Sequence, residues 1–148
     1  MKKKGLLITF EGGEGSGKDT QIELLYDNLI SKKCKVICTR EPGGTKLGEC
    51  IRELLQNRKD LLIEPGVELL LYFASRKQLV YEVIGPALKE GMIVLSNRFE
   101  DSSKAYQGYG RGISIDHINH LHRSVKIPKP DLTFLLDIDP AVGLARIN

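Results

Sequence analysis

This 148-residue chain predicts an α/β fold, a parallel β-sheet flanked by helices, and three observations carry the prediction. Short apolar runs rich in branched residues alternate with stretches whose apolar residues recur at helical spacing. A glycine-rich turn joins the first such run to the first helical stretch. No internal repeat, low-complexity tract or linker divides the chain, so residues 1–148 read as one domain.

The elements follow in order. "GLLITF" (5–10) is the first strand; although "MKKK" precedes it, the apolar run is too short for a signal peptide and ends at Glu11. From Lys18 to Ile30, Ile22, Leu25 and Leu29 mark one face of a helix. "KVICTR" (35–40) is a second strand and "KLGECIRELLQ" (46–56) a second helix. "VELLLYFASRKQLVYEVIGPALKEG" (67–91) is one long helical pattern, expected to kink at Gly85-Pro86. "MIVLSN" (92–97) and "LTFLLDID" (132–139) supply two more buried strands, with "SIDHINHLHRSV" (114–125) a helix between them. In such a sheet the ligand belongs at the carboxyl ends of the strands.

Composition narrows the function. The net charge of +3 is spread along the chain, which argues against a nucleic-acid surface and for small phosphorylated ligands. No run approaches membrane-spanning length. Cys34, Cys38 and Cys50 form no C-x-x-C pair and read as reduced thiols of a cytoplasmic protein. His117 and His120 stand at i, i+3, but with His122 they read as a solvated helix face, not a metal site.

The stretch "FEGGEGSGKDT" (10–20) carries the chemistry. Gly12, Gly17 and Lys18 satisfy G-x-x-x-x-G-K, with a strand before and a helix after, the setting a phosphate-binding loop needs. The loop residues Gly12, Gly13, Glu14, Gly15, Ser16, Gly17, Lys18, Asp19 and Thr20 are therefore expected to hold ATP. Backbone N–H groups and the helix N-terminus would meet the phosphates, and Lys18 would reach the β- and γ-phosphates. The residue after the lysine ordinarily offers Mg²⁺ a hydroxyl, and here it is Asp19.

Beyond the loop, "TREPGGTKLGECIREL", "YFASRKQL", "NRFEDSSKAYQGYGRG" and "PDLTFLLDIDPAVGLAR" resemble, in order and spacing, successive motifs of bacterial thymidylate kinases. The resemblance covers essentially the whole chain, and its most specific segments are "REPGGT" and "SSKAYQGYGRG". It implies a P-loop NTPase-type fold, transfer of the γ-phosphate of ATP to dTMP with Mg²⁺, and a homodimer. In such a reaction the attacking phosphate oxygen is already an anion, so positioning and charge neutralisation replace a general base. The catalytic residues implied are Lys18, Arg98 and Arg146. Arg98, just past a strand end, would bridge donor and acceptor with its guanidinium fork.

The resemblance also implies an acceptor site. Glu14 would accept the 3′-hydroxyl of dTMP, Tyr72 would stack on thymine, and Arg76, one helical turn later on the same face, would hydrogen-bond the base. Ser103 would contact the base and Tyr106 would crowd the sugar against a 2′-hydroxyl. Arg40, Glu41 and Pro42 would shape the acceptor phosphate site, and the Glu41–Pro42 bond is a candidate for cis geometry.

The sequence departs from the family in three places. Asp19 replaces Ser or Thr; Asn97-Arg98 replaces the usual Asp-Arg pair; and family members continue past "GLARIN" into a lid, at whose threshold Arg146 stands. The single P-loop kinase domain is on that basis expected to be C-terminally incomplete. Asp19 either faces Mg²⁺, directly or through water, with Asn97 behind it, or turns away from the nucleotide; the Asp19 and Asn97 departures are read either as one carboxylate moved from the strand end to the loop or as independent drift at the two positions. The alternatives are a noncatalytic P-loop nucleotide-binding module and another nucleoside monophosphate kinase.

Overall fold

The computed structural model describes residues 4–58 and 60–147. Strands β1 (Leu6–Glu11), β2 (Val36–Arg40), β3 (Ile93–Asn97) and β4 (Leu132–Leu135) form one sheet in the order β2-β3-β1-β4. All three pairings are parallel, with Leu7 opposite Val94 and Ile37 opposite Val94 on the other side. The period-2 alternation of the strands explains why both faces need covering. Leu7, Ile37 and Val94 point into one apolar cluster, while Ile8, Phe10, Val36 and Leu95 point into the other.

Helix α1 (Lys18–Ser31) covers the second face with Ile22, Leu25 and Leu29. Helices α2 (Lys46–Gln56) and α3 (Pro65–Leu79) pack on each other, and α3 buries Leu69, Phe73 and Leu79 against the first face. Caps set their starts: Thr45 Oγ1 accepts from Gly48 N at 2.9 Å, and Glu64 Oε2 from Val67 N at 3.0 Å.

The predicted kink at Gly85-Pro86 is replaced by a wider turn just before it. Residues Val80–Ile84 are a π-helical segment, and helix α4 (Gly85–Lys89) continues from it with Gly85 in ordinary helical geometry. The wide turn accommodates Pro86, which has no N–H to give. A Cβ on Gly85 would lie 2.8 Å from the Val80 carbonyl oxygen, so the turn requires glycine there.

After β3, helix α5 (Glu100–Ser103) runs into a second π-helical segment, Lys104–Tyr109, followed by helix α6 (Ile115–Ser124) and, beyond β4, helix α7 (Pro140–Ala145). Neither α5, α7 nor the second π segment follows from apolar periodicity. The expected strand at 132–139 is shorter and not buried: every residue of β4 is exposed, because among the described residues β4 packs chiefly on β1 and no helix covers its faces. His122 also departs from expectation: it is buried, edge-on to Phe73, with Nε2 3.0 Å from Glu100 Oε2. His117 and His120 are exposed, and among the described residues no group of three His, Cys, Asp or Glu could hold a metal. The three cysteines are free, and no described helix is long and apolar enough to cross a membrane.

Candidate active site

The carboxyl ends of β1, β2 and β3 carry the site. β1 ends at Glu11, and the loop from Gly12 to Gly17 turns through left-handed backbone at Gly15 (φ 68°) and Gly17 (φ 89°). Gly17 is the N-cap of α1 and makes no side-chain cap bond, so the first N–H groups of a 14-residue helix remain available to an anion. Lys18 Nζ donates to Gly13 O at 2.6 Å, Gly12 O at 3.0 Å and Ser16 Oγ at 3.2 Å, lying back along the loop it would serve. Burial and the nearby Arg98 charge lower its pKa, although Glu14 and Asp19 pull it the other way.

Helix α7 closes on the same loop. A Cβ on Gly15 would come within 2.0 Å of Gly143 O, and one on Gly143 within 2.4 Å of Glu14 O, so this approach needs glycine on both sides. Arg146 Nη1 donates to Gly15 O at 3.1 Å. The three expected cations thus lie around one loop, each bonded to it.

Arg98 follows β3 directly and sits at φ 68°, a left-handed conformation that costs a non-glycine residue about 1–2 kcal/mol. Its backbone N–H donates to Phe10 O at 2.9 Å; Nη2 donates to Glu14 Oε1 at 2.8 Å and Nη1 to Gly12 O and Ser102 Oγ, each at 3.2 Å. Tyr106 OH also donates to Glu14, at 2.9 and 3.0 Å to its two oxygens, and the Arg98 guanidinium lies 5.2 Å from the Tyr106 ring. Burial works to raise the Glu14 carboxyl, but the Tyr106 bond and the Arg98 and Lys18 charges outweigh it and hold the carboxyl below the ordinary value.

Glu14, Glu41, Pro42, Tyr72, Arg76, Arg98, Ser103 and Tyr106 line one cavity of about 100 Å³, together with Gln56, Phe99, Ser102 and Gln107. Its size is below the roughly 300–1,000 Å³ of typical ligand pockets, consistent with lining side chains that bond one another. Tyr72 and Arg76 share the cavity as their i, i+4 spacing requires, and burial raises the Tyr72 hydroxyl pKa. The Glu41–Pro42 peptide is cis. Glu41 is buried and its Oε2 accepts from Arg76 Nε at 2.6 Å; Arg76, itself 1% exposed, also donates to Phe99 O at 2.8 Å and Ser103 Oγ at 3.0 Å.

Arg40 is the exception among the expected acceptor residues. It pairs with Glu49 at 3.1 Å on the surface and lines a separate open groove of about 850 Å³ with Asp19 and Asn97. The alternation of β2 explains this, since Arg40 and Glu41 are adjacent and point to opposite sides. Asp19 is tied to the strand end: Asn97 Nδ2 donates to its Oδ1 at 2.6 Å, while Asn97 Oδ1 is buried without a partner among the described residues. The two departures from the usual motif are therefore in contact.

Sequence reasoning passed over Glu11, Arg52, Ser102 and Gln107. Glu11 is buried; its Oε1 accepts from Phe99 N at 2.7 Å and its Oε2 from Ser102 Oγ at 2.6 Å, joining β1 to the start of α5. A carboxylate ending an apolar strand was the available signal. Gln107 donates to Glu68 Oε1 at 2.8 Å, and Arg52 to Pro42 O at 3.0 Å.

Comparison with known proteins agrees with this fold. The family described as thymidylate kinase matches residues 10–148. A thymidylate kinase of Oceanobacillus iheyensis is 49% identical over 144 residues, 97% of this chain and 64% of the relative. One of Pelotomaculum thermopropionicum is 53% identical over 137 residues, 92% of this chain and 63% of the relative. The crystal structure of thymidylate kinase from Ehrlichia chaffeensis superposes with a TM-score of 0.84 at 41% identity, covering 97% of this chain and 77% of that one. The chain thus spans slightly less than two thirds of the length of these two curated relatives.

Proposed function

The chain belongs to the thymidylate kinase family, and from that premise we propose that it transfers the γ-phosphate of ATP to dTMP, giving ADP and dTDP. The observation that carries this reading is the single cavity in which Tyr72, Arg76, Ser103 and Tyr106 stand beside Glu14 and Arg98, adjoining the phosphate loop. Its ends differ in character: an aromatic, hydrogen-bonding end suits a base, and a cationic end suits a phosphate.

The chain's own residues divide the work between binding and charge neutralisation. The loop N–H groups and the uncapped start of α1 receive the ATP phosphates. Lys18 exchanges its loop carbonyls for phosphate oxygens, and Arg98 exchanges Glu14 for the acceptor phosphate, bringing the two anions together without a base. Glu14, released from Arg98, is free to accept the sugar hydroxyl. Arg146, against Gly15, is the third cation for the transferring group. The donor set fits Mg²⁺: Asp19 offers a carboxylate, and the unpartnered Asn97 Oδ1 lies behind it. With no three-residue protein cage among the described residues, Mg²⁺ would be held by Asp19 and the nucleotide phosphates, where it would supply charge neutralisation.

The protein is also proposed to act as a homodimer in a reducing, cytoplasmic setting. Leu47 and Leu54 on α2 and Val67 and Leu70 on α3 leave apolar side chains exposed, a surface suited to a second copy. Light scattering after size exclusion measures this.

The test of function is dTDP formation from ATP and dTMP by the purified chain. Turnover is expected with dTMP in preference to UMP or AMP, and Arg98→Ala is expected to lower it by about 10²-fold or more. Nucleotide binding without any phosphoryl transfer would return the noncatalytic nucleotide-binding module instead.

A further inference from the structure

Arg76 and Glu41 form an ion pair that is 1% and 4% exposed. The guanidinium lies between Phe73 and Phe99, 5.2 and 5.4 Å from their ring centroids. Nε is committed to Glu41 Oε2, and Nη2 to Phe99 O and Ser103 Oγ. Nη1 is the one guanidinium nitrogen without a partner among the described residues, and Glu41 Oε1 is unpartnered as well. Buried polar atoms are rarely left this way, and this donor belongs to a side chain that lines the cavity, where a ligand acceptor would complete it.

We infer that Glu41 is a positioning residue: its carboxylate clamps Nε so that Arg76 offers the acceptor base one fixed donor, Nη1, suited to an uncharged ring carbonyl. This rests on the acceptor-site reading above and deepens it. The clamp also cancels the Arg76 charge, so the base end of the cavity does not compete with Arg98 for the phosphate. The clamp is strongest when Glu41 is ionised. Burial pushes the Glu41 carboxyl up to about 7; Arg76 pulls it down, while Glu11 and Glu100 push it further up. The groups facing it are thus Arg76 on α3, Glu11 at the end of β1 and Glu100 on α5, the last in contact with His122 of α6. Base recognition is therefore expected to strengthen as pH rises through about 7.

The experiment is calorimetric titration of the chain with thymidine, which carries no phosphate to titrate, between pH 5.5 and 8.5. Thymidine is expected to bind about 10-fold more tightly at pH 8 than at pH 6, the factor set by about one pH unit of linked protonation. Glu41→Gln should be weaker than the wild type at pH 8 and flat with pH. A flat wild-type profile overturns the inference and leaves the acceptor reading standing, whether or not Glu41→Gln folds. A pH step that survives in Glu41→Gln and disappears in His122→Gln also overturns it, assigning the titration to the Glu100–His122 pair. A folded wild type that binds neither thymidine nor dTMP removes the acceptor reading itself, and the inference with it.

Discussion

Replacing Glu41 by Gln should change how stability depends on pH, in a direction fixed by its burial. In the unfolded chain the carboxyl titrates near its ordinary value of 4.5, and in the folded protein near about 7. Between those values the native state holds a proton that the unfolded state has released. Stability therefore falls as pH rises through this window, and the full difference is about 3 kcal/mol, reached above pH 7. Between pH 5 and pH 8 the change is smaller, about 2–3 kcal/mol, because part of it has accrued by pH 5. The glutamine variant loses the ion pair at every pH, but it also loses this titration. Its stability relative to wild type should thus rise by about 2–3 kcal/mol from pH 5 to pH 8. Urea unfolding at the two pH values measures the difference as a relative midpoint shift of about 1–2 M. Curves of variant and wild type that run parallel would refute the reasoning, since they would mean that Glu41 does not titrate differently in the folded protein.

Phe99→Ala removes a fully buried ring from the first core cluster and from one side of Arg76, and should cost about 3–5 kcal/mol in chemical denaturation. Gly15→Ala combines a positive φ with the 2.0 Å approach to Gly143 O, so it should push α7 off the loop and raise hydrogen exchange over residues 140–147; unchanged exchange would contradict the packing described. Asp19→Thr and Asn97→Asp, measured singly and together on Mg·ATP affinity, should couple by about 0.5 kcal/mol or more, because the two side chains are bonded at 2.6 Å. Additivity within about 0.3–0.5 kcal/mol would show that the carboxylate at Asp19 is not linked to the amide at Asn97.

How much of this was legible in the sequence depends on whether a feature is local. The phosphate loop, β1 to β3 and helices α1, α2 and α6 were legible, because glycine spacing, branched apolar runs and helical periodicity are set within one segment. The π segments were not: Gly85 N reaches Val80 O and Gly110 N reaches Ala105 O, and the five-residue reach is a choice made by packing around Pro86 and the cavity. β4 reads as buried because "LTFLL" is apolar, yet burial requires neighbours that the segment does not encode. At the site, the matched motifs named most of the cavity lining. Arg40 lies outside that cavity by one residue's alternation, and the motifs left Glu41 without its partner. The pairing of Glu41 with Arg76 spans 35 positions of sequence, and only the fold brings it about. The same pair explains a local conflict: a carboxylate whose ionisation costs folding stability is retained where it orients the donor that reads the base.

The most direct test of the central claim, that the cavity beside the phosphate loop is a dTMP site, is calorimetric competition of dTMP against UMP and AMP on the folded chain. dTMP should bind more tightly than either, and Arg76→Met, with its folding checked by circular dichroism, should weaken dTMP and shrink its preference over AMP, while the preference over UMP, whose base carries the same ring carbonyls, persists through Tyr106. Equal affinity for the three nucleotides, or dTMP affinity unchanged by Arg76→Met, would contradict the account.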